Sequence, residues 1–356
     1  MGVVSTPCRV LTIIALTARP MDRLRSVSQS TDFKEIERIH FSSRRPQAHP
    51  CSHPGDHAIV VQIERNAVTT LLGHTLAHAF ANTLTVSAQS ALFALLRSAR
   101  QTPPNGYVAL FCGSQALGLM PPRHAKSLNS VLDNCTLHEH ALVWNALHQT
   151  PSHRSAQLQA ALVQLRDQGH IQGWRNEAFC YWPESYTSPD TQQPAFLQIE
   201  RAGFRFLGLM SHAVHINGFT PDARMWCGQR SAGKATDPGM WDNVTAGGLS
   251  AGETLASCAS RELWEEAGYR LPAPQQLTPA GRVRISRATP SGWHDEMLQV
   301  FNLALPADFV PCNQDGEVQS FACLSAPEVM AQIVAGQFTA DAALAIAQGV
   351  LATNPP

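Results

Sequence analysis

The sequence predicts an α+β chain of two mixed domains behind an extension of different texture. From Gln89 onward, stretches with apolar residues at helical spacing alternate with short apolar runs bounded by Gly, Asn and Pro. One later stretch, residues 247–269, reads GGLSAGETLASCASRELWEEAGY and brackets a charged amphipathic helix between glycines. The first ~85 residues carry Arg, Ser, His and Pro in irregular order, as in SSRRPQAHPCSHPGDH, with little period before an apolar stretch at about 58–81. These observations place an extension at residues 1–85, a small α+β companion domain at 86–194 and a second α+β domain at 195–356. With 356 residues and 44% hydrophobic content, the chain can bury two cores.

The extension reads as low-order chain. A targeting peptide is the alternative, because the first thirty or so residues are rich in Arg and Ser and poor in acid. His49, Cys51, His53 and His57 lack the C-x-x-C or paired-histidine spacing of a zinc site. His74 and His78 stand i, i+4 on a possible helix and read as its polar face. The run VLTIIALTA is too short to span a bilayer. A net charge of −1 gives no footprint for nucleic acid or an anionic membrane, so neither is expected as a partner. Nine cysteines, odd in number and without a C-x-x-C pair, suit a reducing compartment. A cytoplasmic location is therefore expected, or an organellar one if the extension is a transit peptide.

In the companion domain, QSALFALLRSAR reads as a helix and YVALFCGSQALGLMPP as two short strands about Gly113-Ser114. RHAKSLNSVL is a second helix. HRSAQLQAALVQLRDQG is an amphipathic third, with Leu158, Ala161, Leu162 and Leu165 on one face and Gly169 at its end. HIQGWRNEAFCYWP reads as an aromatic-rich strand, and residues 186–194, YTSPDTQQP, as a linker. In the second domain, LGLMSHAVHINGF is a strand closed by Asn217-Gly218, with MWCGQRS as its hairpin partner. Residues 245–248 lead from strand to loop, where Gly247 and Gly248 permit a tight return. Residues 254–267 form a helix with Leu255, Ala259 and Leu263 as its apolar stripe, stopped by Gly268. GRVRISRATPSGWHDEMLQVFNLAL supplies two more strands through Pro290-Ser291-Gly292.

That helix carries the chemistry. At ~100° per residue, Glu262, Glu265 and Glu266 fall within about a quadrant or slightly more, and Glu253 lies in the loop before them. Four converging carboxylates repel unless a cation neutralises them, and hard oxygen ligands suit Mg²⁺ or Mn²⁺ that also binds phosphate oxygens. Arg261 reads as an orienting partner for Glu253 or Glu265. Gly247, Glu253, Arg261, Glu262, Glu265, Glu266 and Gly268 fill the pattern G-x5-E-x7-R-E-U-x-E-E-x-G-U, with Tyr269 at its final apolar position. This resembles the Nudix box. The resemblance implies the Nudix fold, a mixed sheet between helices, and attack of water on a diphosphate assisted by metal on Glu262, Glu265 and Glu266. No Ser, Cys or His nucleophile is then required. The general base is left open between a box glutamate and Glu317 in NQDGEVQSF.

A narrower resemblance rests on YVALFCGSQALGLMPP, GHIQGWRNEAFCYWP, GLMSHAVHINGF, RSAGKATDPGMWDNVTAGGLSAGE and PADFVPCNQDGEVQSF. This layout is similar to that of the thiamine-pyrophosphokinase-related Nudix group, which implies cleavage of thiamine-type diphosphates, including oxidised analogues, to the monophosphate. Arg230 and Lys234, in the order R-S-x-x-K of that layout, are candidates for the phosphates. Trp241 and Asn243 are candidates for one wall of the organic pocket, and Trp293 and His294 are weaker ones. Gly247 and Gly248 complete the substrate-side set. A pyrophosphatase for ADP-ribose, nucleotide sugars or other nucleoside diphosphates is the alternative. A non-catalytic sensor would be expected to lose box glutamates, and all are present. Isopentenyl-diphosphate isomerase shares a PGxWxN approach, but Val244 and Thr245 stand where its cysteine is needed. The expected partner is a small organic diphosphate, with the oligomeric state open.

Overall fold

The computed structural model describes residues 12–13, 61–62, 65–183, 194–273 and 276–352. The chain divides into compact units of residues 1–71 and 72–356. In the first, β1 (Thr12–Ile13) and β2 (Val61–Gln62) pair antiparallel. His49, Cys51, His53 and His57 lie outside the described residues.

Helix α1 (Arg65–Asn82) runs into the second unit, where it turns into α2 (Val86–Arg97), capped by Thr85. Leu76, Ala77, Phe80 and Ala81 are buried in one cluster with Phe219, Met225 and Ile346. The Phe80 and Phe219 rings meet edge-on at 5.4 Å. The expected extension boundary at residue 85 is therefore corrected: Leu76, Ala77, Phe80, Ala81 and Leu84 belong to the core. Their apolar positions have a helical rather than a loop-like role, which the irregular upstream text obscured.

The companion domain follows its predicted elements. Strands β3 (Val108–Cys112) and β4 (Gln115–Met120) form a hairpin, and α3 (Pro122–Asn129) leads to β5 (Cys135–Leu137) and β6 (Ala141–Trp144). The sheet order is β4-β3-β6-β5, with β3 and β6 parallel. Helix α4 (Pro151–Asp167) buries Leu158, Ala161, Leu162 and Leu165, the face its spacing predicts. The aromatic strand is shorter than expected. Only β7 (Ala178–Tyr181) is extended, paired with β8 (Leu197–Glu200), because residues 171–177 spend their backbone on loop contacts such as Arg175 and Glu177 amides donating to Glu200. Of the expected linker at 186–194, residues 186–193 lie outside the described residues. Beyond it, β8 and α5 (Arg201–Leu207) bury Leu197, Ile199, Phe204 and Leu207 in the companion core, so that core continues to Met210 rather than ending at residue 194.

The second domain is a seven-stranded mixed sheet between helices. Its strands are β9 (Met210–Phe219), β10 (Met225–Arg230), β11 (Trp241–Asp242), β12 (Thr245–Gly248), β13 (Thr278–Thr289), β14 (Gly292–Ala304) and β15 (Val318–Leu324), and its helices are α6 (Leu255–Ala267), α7 (Ala326–Val334) and α8 (Ala340–Leu351). The main path is β11-β10-β9-β14-β13, with β12 added to β9 and β15 to β10. Among the described strand pairs of this sheet, only β9–β14 is parallel. Val214, Ile216 and Leu303 pack on α6, while Ala213, Leu298 and Val300 pack with Leu344 and Ala345 of α8. Alternation along β9 thus assigns one face to each helix.

Asn217-Gly218 is not the turn the sequence suggested. Asn217 sits fully buried inside β9, donating to Asn302 Oδ1 at 3.1 Å and to the Ala345 carbonyl at 3.2 Å. A Cβ at position 218 would meet Leu305 at 2.6 Å, so this glycine serves close packing. The chain reverses later, where Thr220 bonds Asp222 and the backbone of Arg224. Among the described residues, no single helix is long and apolar enough to cross a membrane.

Candidate functional site

Helix α6 starts where Thr254 and Ser257 form a reciprocal cap and stops at Gly268, whose φ of 68° lies in the left-handed region. Leu255, Ala259 and Leu263 face the sheet as their spacing predicts, which turns Glu262 and Glu266 toward β12. Gly247 makes room there: a Cβ at that position would lie 1.8 Å from Glu262 Oε1. Gly248 is constrained in the same way by the Phe179 ring, which its Cβ would meet at 2.4 Å. Both are extended strand residues, so the loop-forming role expected of them is corrected to close approach. The turn before Glu253 uses Gly252, at φ 88°, instead.

Arg261 stands at the centre of the acids. Its Nε and Nη2 donate to the two oxygens of Glu253 at 2.6 and 2.9 Å. Its Nη1 donates to Glu262 Oε1 at 2.7 Å and Glu265 Oε2 at 3.0 Å. Glu253 also accepts from the Ser250 amide at 3.1 Å. Glu266 accepts from Thr245 Oγ1 at 2.8 Å and the Ala246 amide at 3.0 Å. The four box carboxylates therefore meet in one place, as expected, and Arg261 orients three of them.

Electrostatics divides these acids. Burial pushes Glu262 up to about 7, against the pull of Arg261 and with the help of Glu265 and Glu253. Burial likewise pushes Glu266 up to about 7, reinforced by Glu262. Burial also raises Glu253, but its bonds to Arg261 outweigh that and hold it below the usual carboxylate range. One guanidinium cannot neutralise four carboxylates, two of them buried. A divalent cation on Glu262, Glu265 and Glu266 fits this donor set, which is all hard oxygen and electrostatically under-compensated.

The remaining candidates separate. Lys234 pairs with Glu317, and burial lowers its pKa against the opposing field of Glu266. Those two residues thus join each other at the edge of the acidic site. Arg230 is occupied elsewhere: it bonds Asp242 at 3.1 Å and the Thr236 carbonyl at 2.9 Å, which orders the 231–240 loop. Asn243 is not a pocket wall. It is buried, its Oδ1 accepting from His215 Nδ1 at 2.8 Å and its Nδ2 donating to Asn217 Oδ1 at 2.7 Å. Trp241 packs against the cluster of α1, α7 and α8, with its backbone bonded to Gln337 and Thr339. His294 is buried 3.5 Å from Asp341 and 3.8 Å from Glu296, and Trp293 packs edge-on to Tyr107.

Sequence reasoning missed Glu177. Its Oε1 accepts from Ser250 Oγ at 2.5 Å and its Oε2 from Arg201 at 2.6 Å, tying the companion domain to the loop ahead of α6. Ser250 lies 73 positions from Glu177, and no spacing within either segment announces the contact.

Residues 212–343 match the NUDIX domain family, and residues 91–211 match a domain of unknown function, DUF4743. Nudix hydrolase 20, chloroplastic, of Arabidopsis thaliana is 33% identical over 192 residues, covering 53% of this chain and 50% of that protein. Nudix hydrolase 24, chloroplastic, of the same plant is 30% identical over 228 residues, covering 63% of this chain and 61% of that protein. The chain thus spans between half and two thirds of these relatives. The crystal structure of DR0079 from Deinococcus radiodurans aligns with a TM-score of 0.31 at 18% identity, covering 46% of this chain and 92% of that one.

Proposed function

We propose that this chain, which carries a Nudix domain over residues 212–343, hydrolyses the diphosphate linkage of a small organic diphosphate with the help of Mg²⁺ or Mn²⁺. The observation that carries this reading is the meeting of Glu253, Glu262, Glu265 and Glu266 around Arg261, with Glu262 and Glu266 both pushed up to about 7. When bound, the divalent ion would supply charge stabilisation at the phosphoryl oxygens and activation of water. Glu262, Glu265 and Glu266 would hold it. Arg261 keeps Glu253 and Glu265 in place, and Thr245 and the Ala246 amide hold the Glu266 carboxylate. Lys234, beside Glu266 and paired with Glu317, is placed to meet a phosphate oxygen, an exchange that would free the Glu317 carboxylate to accept a proton from water.

Within this activity, we favour thiamine-type diphosphates, oxidised analogues included, cleaved to the monophosphate. Support comes from the strings shared with the thiamine-related group and from the pairing of a companion domain with the Nudix domain. Trp241 is half-buried against the cluster of α1, α7 and α8, and this reading does not rely on it for stacking. The chloroplastic names of the two relatives support the organellar reading of location over the cytoplasmic one. The deciding experiment is diphosphate cleavage of thiamine diphosphate, oxothiamine diphosphate, ADP-ribose and a nucleotide sugar, each with Mg²⁺, Mn²⁺ or EDTA, read by chromatography of the monophosphate products. Highest kcat/KM on the thiamine-type pair, abolished by EDTA, is the expected result. Preference for ADP-ribose would move the substrate assignment, and full activity in EDTA would overturn the metal-dependent reading.

A further inference from the structure

A cavity of about 360 Å³ opens between the companion core and the second-domain sheet, lined among others by Arg175, Phe179, Arg205, Trp293 and Glu296. It adjoins the acidic site through contacts already described: the Phe179 ring lies against Gly248, and Glu177 bonds Ser250 in the loop that leads to Glu253. Thr236, whose carbonyl Arg230 holds, lines the same cavity from the other side.

The charges lining it do not cancel. Arg201 is paired with Glu177 at 2.6 Å, and Asp295 takes two bonds of 2.7 Å from Arg284. Among the described residues, the guanidiniums of Arg175 and Arg205 have no hydrogen-bond or ion-pair partner, although Arg205 is half-buried. Glu296 accepts from Ser211 Oγ at 2.8 Å and faces His294 Nε2 at 3.8 Å. Two uncommitted guanidiniums beside aromatic surface and a single acid form a site for an anionic group joined to a flat ring that carries positive charge or hydrogen-bond donors.

We propose that this cavity is the pocket for the organic diphosphate: Arg175 and Arg205 take its phosphate oxygens, Phe179 and Trp293 flank the ring, and Glu296 faces the ring's donors. The proposal deepens the hydrolase reading and rests on it for the identity of the ligand. It also gives the companion domain a part in substrate selection, since Arg175, Phe179 and Arg205 all come from that domain's elements.

The test is calorimetric binding of thiamine diphosphate and ADP-ribose in Mg²⁺, in a Glu266→Gln background that suppresses turnover. Arg175→Gln and Arg205→Gln should each raise the Kd of the bound diphosphate about tenfold or more, and Arg205→Lys should fall between. Arg166→Gln, on α4 and paired with Asp167, should leave the Kd unchanged. Melting temperatures accompany each measurement. If Arg205→Gln fails to fold, Arg175→Gln, at an exposed position, still decides the matter. An unchanged Kd in folded variants overturns the cavity assignment, as does failure of both diphosphates to bind. Arginine-dependent binding without diphosphate cleavage by the wild-type protein would sink the hydrolase reading and keep the pocket. Diphosphate cleavage unaffected by either arginine substitution would do the reverse.

Discussion

Two polar clusters occupy opposite faces of one sheet, and they are built on opposite principles. On the α6 face, four carboxylates share one arginine, and two of them are buried and pushed up to about 7. On the α8 face, Asn217, Asn243, Asn302 and His215 are buried side chains that bond one another and the carbonyls of Ala345 and Gly349. Gly349 lets α8 come that close, since a Cβ there would meet Asn217 Nδ2 at 2.2 Å. A network that closes on itself adds specificity to the packing and asks for no ligand. A cluster left with surplus charge is costly to the folded state unless something binds, and this is the mark of a site.

Four experiments test that contrast. The largest effect should come from removing the cover of the α8 cluster. A chain beginning at Ser87 loses Leu76 and Phe80 from the core, each worth roughly 1.5–3 kcal/mol of burial. It should therefore be destabilised by roughly 3–6 kcal/mol against one beginning at residue 65, read by urea denaturation. Equal stability would show that α1 is dispensable after all. Next, Glu266→Gln should lower kcat by at least ~10²-fold while the protein stays folded. A matching loss of thermal stability would make Glu266 a structural residue like those on the other face.

The third experiment uses pH in the absence of divalent ions. Glu262 and Glu266 have folded values near 7, above the ordinary 4.5, so the folded state binds more protons than the unfolded chain between those limits. Their contribution is most favourable below about 4.5 and is lost as pH rises through about 7. Wild-type stability at pH 8 should accordingly gain from Mg²⁺ or Mn²⁺, and Glu266→Gln should gain less. Identical shifts in both proteins would show that the cation binds elsewhere. The smallest effect belongs to Asn217→Ala, which strands Asn302, Asn243 and the Ala345 carbonyl. It should cost about 1–3 kcal/mol of stability and leave kcat/KM close to wild type in the folded protein. A kinetic loss without a stability loss would move the Asn network into the active site.

Much of the acidic site was legible because its information is local. Glu253, Arg261, Glu262, Glu265 and Glu266 lie within fourteen consecutive residues, and a helix of known pitch brings them together once Leu255, Ala259 and Leu263 are committed to the sheet. The hairpin about Gly113-Ser114, the buried face of α4 and the stop at Gly268 were legible for the same reason. Asn217-Gly218 misled because the dipeptide that favours a turn also supplies a small, hydrogen-bonding step for a crowded strand, and only neighbours at positions 302, 305 and 345 distinguish the two uses.

By itself, then, the sequence determined which residues are acids on one helical face, where that helix begins and ends, and that the chain is α+β. The tertiary structure alone decided that Gly247 yields its space to Glu262, that Arg230 is spent on Asp242, that Trp241 packs under α8, and that Glu177 reaches Ser250. The physical reason is range: backbone pitch and capping act over a few residues and can be read from spacing. Close approach and the pairing of buried charge depend on segments that meet only when the whole sheet is assembled.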